Sequence, residues 1–321
     1  MKTSDKTIDI LDNAPADNRP VETPVIVIER DNEVNVAQPG KSGRRHHNKT
    51  SWLWIATFTI LIAIAGIVVY SLWVFSSNNV IYGMPLGSSD NKNLELLEAP
   101  YSPSARGTSH FSDSILGVAM DFYSLDGLKA SIETRIPDTG DSSLVLFMRS
   151  ADYHPDGSII GSMVIDGDRI ANKEHKPRLA YLAISADGKA VTGISDSKKL
   201  YDHSVDTKGS YFTQYPLLGD ATLPAHFYLH GKVERAAIGR MSDDRMYYIV
   251  TRNKETMYDF ADAMREYGFV DAMYITGGNA YTFYRDNDGV AHINENTQKK
   301  IDKYKDTLPP APILVFRGAG R

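Results

Sequence analysis

From Trp52 to Phe75 the chain runs 24 residues without a charged side chain, built mostly from Ile, Leu, Val, Ala, Trp and Phe. At 1.5 Å per residue a helix of that length reaches about 36 Å, beyond the roughly 30 Å hydrocarbon core of a bilayer. Trp52 and Trp54 near one end and Tyr70 and Trp73 towards the other suit interfacial belts, where an apolar ring with one polar atom is accommodated. The run predicts a membrane span over residues 52–75 with the lipid bilayer as its partner; a buried core helix is the competing reading, and such helices are usually shorter. Lys41, Arg44, Arg45 and Lys49 precede the span, whereas the first basic residue after it is Lys92. Positive charge is retained on the cytoplasmic side, so the N-terminus is expected inside and the C-terminal part outside.

About fifty residues precede the apolar run, too many for the n-region of a cleaved signal peptide, so the segment is expected to stay as an uncleaved signal anchor. The 321 residues contain no cysteine, which removes disulfides, zinc-thiolate and iron-sulfur sites, thiol nucleophiles and a lipobox. No Asn-x-Ser/Thr sequon follows Asn78, and together these absences point to a bacterial envelope, with the domain on the periplasmic side of the inner membrane. A net charge of -5 supplies no field for nucleic acid.

Four stretches follow. Residues 1–50 are rich in Asp, Asn, Pro, Lys and Thr, with one short apolar run at Val25 to Ile28, and are expected to form a disordered cytoplasmic tail. Residues 51–75 form the anchor, 76–108 read as a linker around one short Leu-containing piece, and 109–321 as one domain large enough for a buried core. The domain is expected to be α+β, a mixed sheet with few helices. Leu179 to Ser185, Asp187-Gly188 and Ala190 to Ile194 read as a hairpin, as do Ala236 to Ile238 and Met246 to Thr251; Asp166-Gly167 ends another arm at Ile165. One helix is clear: Thr256 N-caps it, Met257, Phe260, Ala261 and Met264 share a face, and Gly268 stops it. Val270 to Ile275 follows as a near-continuous apolar strand, then Gly277-Gly278 and a further strand from Ala280 to Tyr284.

Around this unit the chain resembles the phosphodiester glycosidase family. The residues that carry the resemblance are Arg235-Ala236-Ala237-Ile238-Gly239, the helix ending at Gly268, and Asp271-Ala272-Met273-Tyr274-Ile275-Thr276-Gly277-Gly278. Upstream, Phe147 to Asp166, with Pro155-Asp156-Gly157 and Gly161, and then Thr213-Gln214-Tyr215-Pro216, are similar to the family's other blocks in the same order. The resemblance implies hydrolysis of the bond between a sugar anomeric carbon and a phosphate oxygen, with a phosphorylated glycan as substrate. It departs at three places: Arg149-Ser150-Ala151, or a neighbouring register, stands for Asn-Ala-Gly, Tyr215 for a Gly, and Thr276 for the Asp of Leu-Asp-Gly.

Glycoside hydrolysis calls for a carboxylate against an oxocarbenium-like transition state, and Thr276 cannot supply one. Asp152 is the candidate replacement, its alternative being a solvated turn carboxylate. His154 is either a base or a turn-flanking imidazole. Arg149 and Arg235 are candidates for the phosphate, since a strand arginine is costly to bury without an anion. Gly277 and Gly278, with Asn279 beside them, could present backbone N–H groups to an anion or simply make a tight connection. His-x-His and His-Glu-x-x-His spacings, P-loops and dinucleotide fingerprints are lacking, so neither a catalytic metal nor a cofactor is expected. Two functions compete: an active hydrolase of sugar-1-phosphate diesters in envelope glycans, or a catalytically degenerate relative that binds a glycan or a protein.

Overall fold

The computed structural model describes residues 49–80, 83–172, 177–276, 281, 283–304, 307–309 and 311–319, and within the first of these the side chains of 55–71. Of the tail expected over residues 1–50, residues 1–48 lie outside the described residues, as do the candidate site residues Gly277, Gly278 and Asn279. The chain separates into two units, 1–60 and 61–321, with the division falling inside the first helix. That helix, α1 (Lys49–Val80), is continuous over 32 residues. Its apolar side chains from Ile55 to Tyr70 are broadly exposed. Among the described residues no helix is long and apolar enough to cross a membrane.

The remaining elements, in chain order, begin with α2 (Asp90–Glu98), β1 (His110–Ile115), β2 (Val118–Ser124), β3 (Lys129–Glu133), β4 (Leu144–Arg149), β5 (Ser162–Ile165) and β6 (Asp168–Asn172). They continue through β7 (Ala180–Ile184), β8 (Ala190–Ile194), α3 (Lys199–Asp206), β9 (Ser210–Gln214), β10 (Pro216–Leu218), β11 (Ala236–Met241) and β12 (Met246–Thr251). The last are α4 (Met257–Tyr267), β13 (Phe269–Ile275), β14 (Phe283–Arg285), β15 (Ala291–Ile293), α5 (Glu295–Lys303) and β16 (Ile313–Arg317).

The strands form three sheets, ordered β1-β2-β12-β11-β13-β10, β15-β14-β4-β16-β3 and β6-β5-β9-β7-β8. Every ladder between these strands is antiparallel, which corrects the expected mixed sheet. The reason is local to one crossover. β12 and β13 do run the same way, as a strand-helix-strand unit requires, but β11 lies between them and pairs antiparallel with both.

All three sheets turn one face to a common core, to which the first contributes Ile238 and Met273, the second Met148 and Leu314, and the third Leu182 and Phe212. Their outer faces are covered too. α4 packs Phe260 and Met264 on Ala237 and Ala272 of the first sheet, Leu97 of α2 and Leu200 of α3 lie on Tyr181 and Ala183 of the third, and Ile301 of α5 meets the Phe147 and Val315 face of the second. Alternate residues therefore enter different cores: in β13, Ala272 and Tyr274 face α4 while Met273 and Ile275 face the centre. A strand buried on both faces loses period-two polarity, which is why Val270 to Ile275 reads as apolar apart from Asp271.

Both expected hairpins form, with Leu182 opposite Thr192 and Ile238 opposite Tyr248. In α4 the Thr256 side chain accepts the Asp259 amide, and Gly268 closes the helix at φ 108°. The expected linker is corrected over most of its length. From Gly83 onward the chain belongs to the folded body: Met84 joins the central core, Leu97 the α2 face, and Asn93 is fully buried with its amide donating to the Tyr181 hydroxyl and the Thr192 carbonyl.

Candidate functional site

The site lies where ends of all three sheets meet. β13 delivers Thr276 directly after Ile275, β4 ends at Arg149 and leads to Asp152, and the third sheet supplies Arg178 just before β7 and Gln214 at the end of β9. The loop after β4 is held in place by Ser150, which is buried and donates both its amide and its hydroxyl to the Pro312 carbonyl beside β16. It is closed by the Ile160 amide donating to the Asp152 carbonyl. Gly161 brings the chain back at φ 105°, and a Cβ there would stand 2.6 Å from the Thr213 hydroxyl. No side chain fits that approach, so the block needs glycine.

Asp152 is the centre of the arrangement. The Thr276 hydroxyl donates to one carboxylate oxygen at 2.8 Å and the Arg178 guanidinium to the other at 2.8 Å. A second Arg178 nitrogen donates to Gln214 Oε1 at 2.6 Å, and the Tyr215 ring lies under the guanidinium, 4.4 Å from centroid to carbon. Arg178 is buried, and Asp152 neutralises it while keeping a quarter of its own side chain open to solvent. An arginine so enclosed requires that partner. Three donors nevertheless stay unsatisfied: Nε of Arg178, Nε2 of Gln214 and Nε of Arg149 are buried without a hydrogen-bond partner. Buried donors left open cost stability and mark places where acceptor oxygens are wanted.

A cationic cluster adjoins them. Arg149 lies over the Tyr153 ring at 5.1 Å, and Lys300 of α5 over the Tyr281 ring at 5.5 Å. Among the described residues no carboxylate pairs with Arg149. Burial first, and then the Arg149 charge, holds the Lys300 ammonium below the ordinary lysine range, with Glu234 opposing. Burial pushes the Tyr281 phenol up to about 12, and the Arg149 charge resists that rise. Two cations placed near enough to disfavour one another are stabilised by an anion between them.

Of the expected site residues, Asp152, Thr276 and Arg149 share this end of the sheets. Arg235 lies close in register, since Ala236 pairs with Ile275, but its guanidinium is spent on the chain: Nε donates to the Glu255 carbonyl and Nη2 to the Gly231 carbonyl. Backbone oxygens therefore meet part of its burial cost without an anion. His154 is exposed in the turn closed by the Tyr153 and Ile159 bridge, where its backbone pairs with Ser158 and Gly157. Among the described residues it makes no side-chain hydrogen bond to Asp152 or Thr276. Among the described residues no group of acidic and histidine side chains could hold a metal.

Arg178 and Gln214 were missed. Gln214 lies in a block that the sequence singles out, whereas Arg178 stands 26 residues from the Asp152 it pairs with. Gly239, by contrast, serves packing: a Cβ there would meet Phe269 at 2.7 Å and Met264 at 3.0 Å, so it lets α4 close onto the sheet. The three departures from the family pattern come together in space, because Thr276 and Tyr215 both contact the Asp152 and Arg178 pair and Arg149 opens the same loop.

Residues 147–308, half of the 321, match the family model of phosphodiester glycosidases. Among solved structures, the catalytic domain of zebrafish N-acetylglucosamine-1-phosphodiester alpha-N-acetylglucosaminidase, auto-inhibited by its pro-peptide, aligns at 14% identity over 69% of this chain and 86% of that one, with a TM-score of 0.46. A hypothetical protein from Synechocystis aligns at 7% identity over 66% of this chain and 62% of its own, with a TM-score of 0.43. No curated protein matches the chain.

Proposed function

The chain belongs to the phosphodiester glycosidase family, and from that premise we propose that its domain hydrolyses sugar-1-phosphate diesters of envelope glycans with Asp152 as the working carboxylate. The observation that carries the reading is the 2.8 Å bond from Thr276 to Asp152. The carboxylate missing from the β13 terminus is thereby present in space, brought in by the loop after β4. The reaction it serves is simple to balance. Water adds to the anomeric carbon, the bond from that carbon to the phosphate oxygen breaks with its electron pair going to the phosphate, and Asp152 takes the water proton while its charge favours the oxocarbenium-like transition state. A phosphate monoester has its second ionisation near about 6, so the leaving group needs little protonation. Arg149 and Lys300 hold the phosphate, and the open donors of Arg178 and Gln214 meet sugar or phosphate oxygens.

Membrane anchorage belongs to the same proposal. The uncharged run 52–75, with exposed side chains from Ile55 to Tyr70, Lys41 to Lys49 before it and no basic residue after it until Lys92, suits an anchor that leaves the domain outside the cytoplasm. A second reading keeps one observation in its favour: both Asp152 oxygens already accept hydrogen bonds, from Thr276 and Arg178, as in a site that binds without turning over. The chain would then be a degenerate member serving as a glycan-binding or protein-interaction module.

One assay separates the two. The purified chain should release phosphomonoester from a glucose-1-phosphate diester, and Asp152→Ala should reduce kcat/KM by about 10³-fold, the scale of a lost charge-stabilising group. Thr276→Asp should also lower activity, since a second carboxylate at hydrogen-bond distance from Asp152 cannot ionise independently. No hydrolysis by the natural sequence, or hydrolysis that appears only on Thr276→Asp, would favour the degenerate reading, and hydrolysis that survives Asp152→Ala would remove Asp152 as the working carboxylate.

A further inference from the structure

A second cavity opens beside the cationic cluster, between the β2 and β12 face of the first sheet and the β4 and β14 face of the second. Its volume is 190 Å³, room for a small head group and not for a polymer segment. Tyr123, Tyr248, Tyr281 and Tyr284 line it together with the carboxylates of Asp121 and Glu234. The rings form one wall: Tyr123 lies 5.0 Å from Tyr284 and 5.9 Å from Tyr248 between centroids. Tyr248 is 2% exposed, and its hydroxyl is buried with no hydrogen-bond partner. Glu234 makes no ion pair among the described residues, and Asp121 accepts from the Ser112 hydroxyl with His110 at 3.5 Å. Electron-rich ring faces, two carboxylates and an orphaned phenol oxygen favour a compact cation that can donate hydrogen bonds. A neutral sugar would bring no charge to meet Glu234, which is exposed at the cavity's edge.

Position then fixes what carries that cation. Tyr281 is common to both places, lining this cavity on one side and lying under the Lys300 ammonium on the other. An anion site and a cation site therefore adjoin across one ring. We propose that the cavity receives a primary ammonium borne by the alcohol on the far side of the phosphate, so that the substrate is a zwitterionic diester in which a sugar 1-phosphate is joined to a short amino alcohol. The ammonium N–H groups reach Glu234, Asp121 and the Tyr248 oxygen, while the phosphate stays with Arg149 and Lys300. This rests on the phosphodiester reading above and adds the class of aglycone.

The test is calorimetric binding to the full chain carrying Asp152→Asn, so that turnover does not interfere. The probes are the 2-aminoethyl diester of glucose 1-phosphate, its propyl isostere with a methyl in place of the ammonium, and a hexosyl diester. The aminoethyl diester should bind about tenfold or more tightly than the propyl one. Glu234→Gln should abolish most of that preference while leaving propyl affinity unchanged, and Tyr248→Phe, which keeps the ring, should weaken it. Equal binding of the aminoethyl and propyl diesters, or tighter binding of the hexosyl one, would overturn the proposal. Ethylammonium, which has neither sugar nor phosphate, separates this from the parent reading. Binding of ethylammonium that Glu234→Gln removes, with no diester bound, would keep the cation pocket and sink the phosphodiester site; diester binding that ignores the ammonium does the reverse.

Discussion

At the scale of single residues, the candidate site joins a hydroxyl and a carboxylate that lie far apart in the chain. Thr276 cannot ionise, but it orients a carboxylate 124 residues upstream, and Tyr215 shields the arginine that neutralises it. Asp152 was legible as a candidate because the sequence placed a carboxylate in a block resembling the family's pocket. Its partner Arg178 was not, because an arginine before an apolar strand carries no local mark of what it pairs with. The cations give a pH prediction. Lys300 must be protonated to hold phosphate, and burial beside Arg149 lowers its pKa below the ordinary 10.5, so phosphate affinity should fall on the alkaline side earlier than a free lysine would require. Replacing it by arginine, which stays charged throughout, should move that limb upward in a plot of KM against pH. Arg149→Met should raise KM tenfold or more, about 1.4 kcal/mol of lost binding, and an unchanged KM would remove Arg149 from the phosphate site.

At the scale of elements, local chemistry and packing agree for α4. The Thr256 hydroxyl satisfies an amide of the first turn, Gly268 takes the left-handed position at the end, and the apolar face fills the outer side of the first sheet. Thr256→Ala should cost about 1 kcal/mol in urea unfolding with the activity of the remaining folded protein unchanged. Gly239→Ala should cost more, because the added methyl meets Phe269 and Met264 at distances that only a shift of α4 can relieve. Equal costs for the two would show that the helix sits less tightly on the sheet than the distances require. Here the sequence was informative throughout. Capping, helical spacing and the Gly stop all lie within a dozen residues, so no distant contact was needed to read them.

At the scale of the whole molecule, the boundary of the folded body is an energetic matter that composition misjudged. Residues 83–108 are polar enough to read as tether, but α2 buries Asp90 and Asn93 as well as Leu97, and Asp90 accepts from the Tyr181 and Ser195 hydroxyls. A chain starting at Gly83 should unfold cooperatively, whereas one starting at Ser109 would leave Tyr181 and Thr192 without buried partners and should lose several kcal/mol or fail to fold. Circular dichroism during urea unfolding decides it, and equal midpoints would return the segment to a linker. The proposed anchorage is checked by a reporter that is active only outside the cytoplasm, fused after Arg321; activity only from a cytoplasmic reporter would reverse the topology. The sequence by itself determined the apolar run, both hairpins, α4 with its caps and the blocks that place the chain in its family, because periodicity, turn chemistry and capping act over a few residues. Only the tertiary structure decided that β11 separates β12 from β13, that most of the expected tether joins the folded body, that Arg235 donates to carbonyls, and that Asp152, Arg178 and Thr276 meet. Those outcomes depend on which distant groups satisfy a buried donor or charge, and that choice is made when the three sheets close on one core.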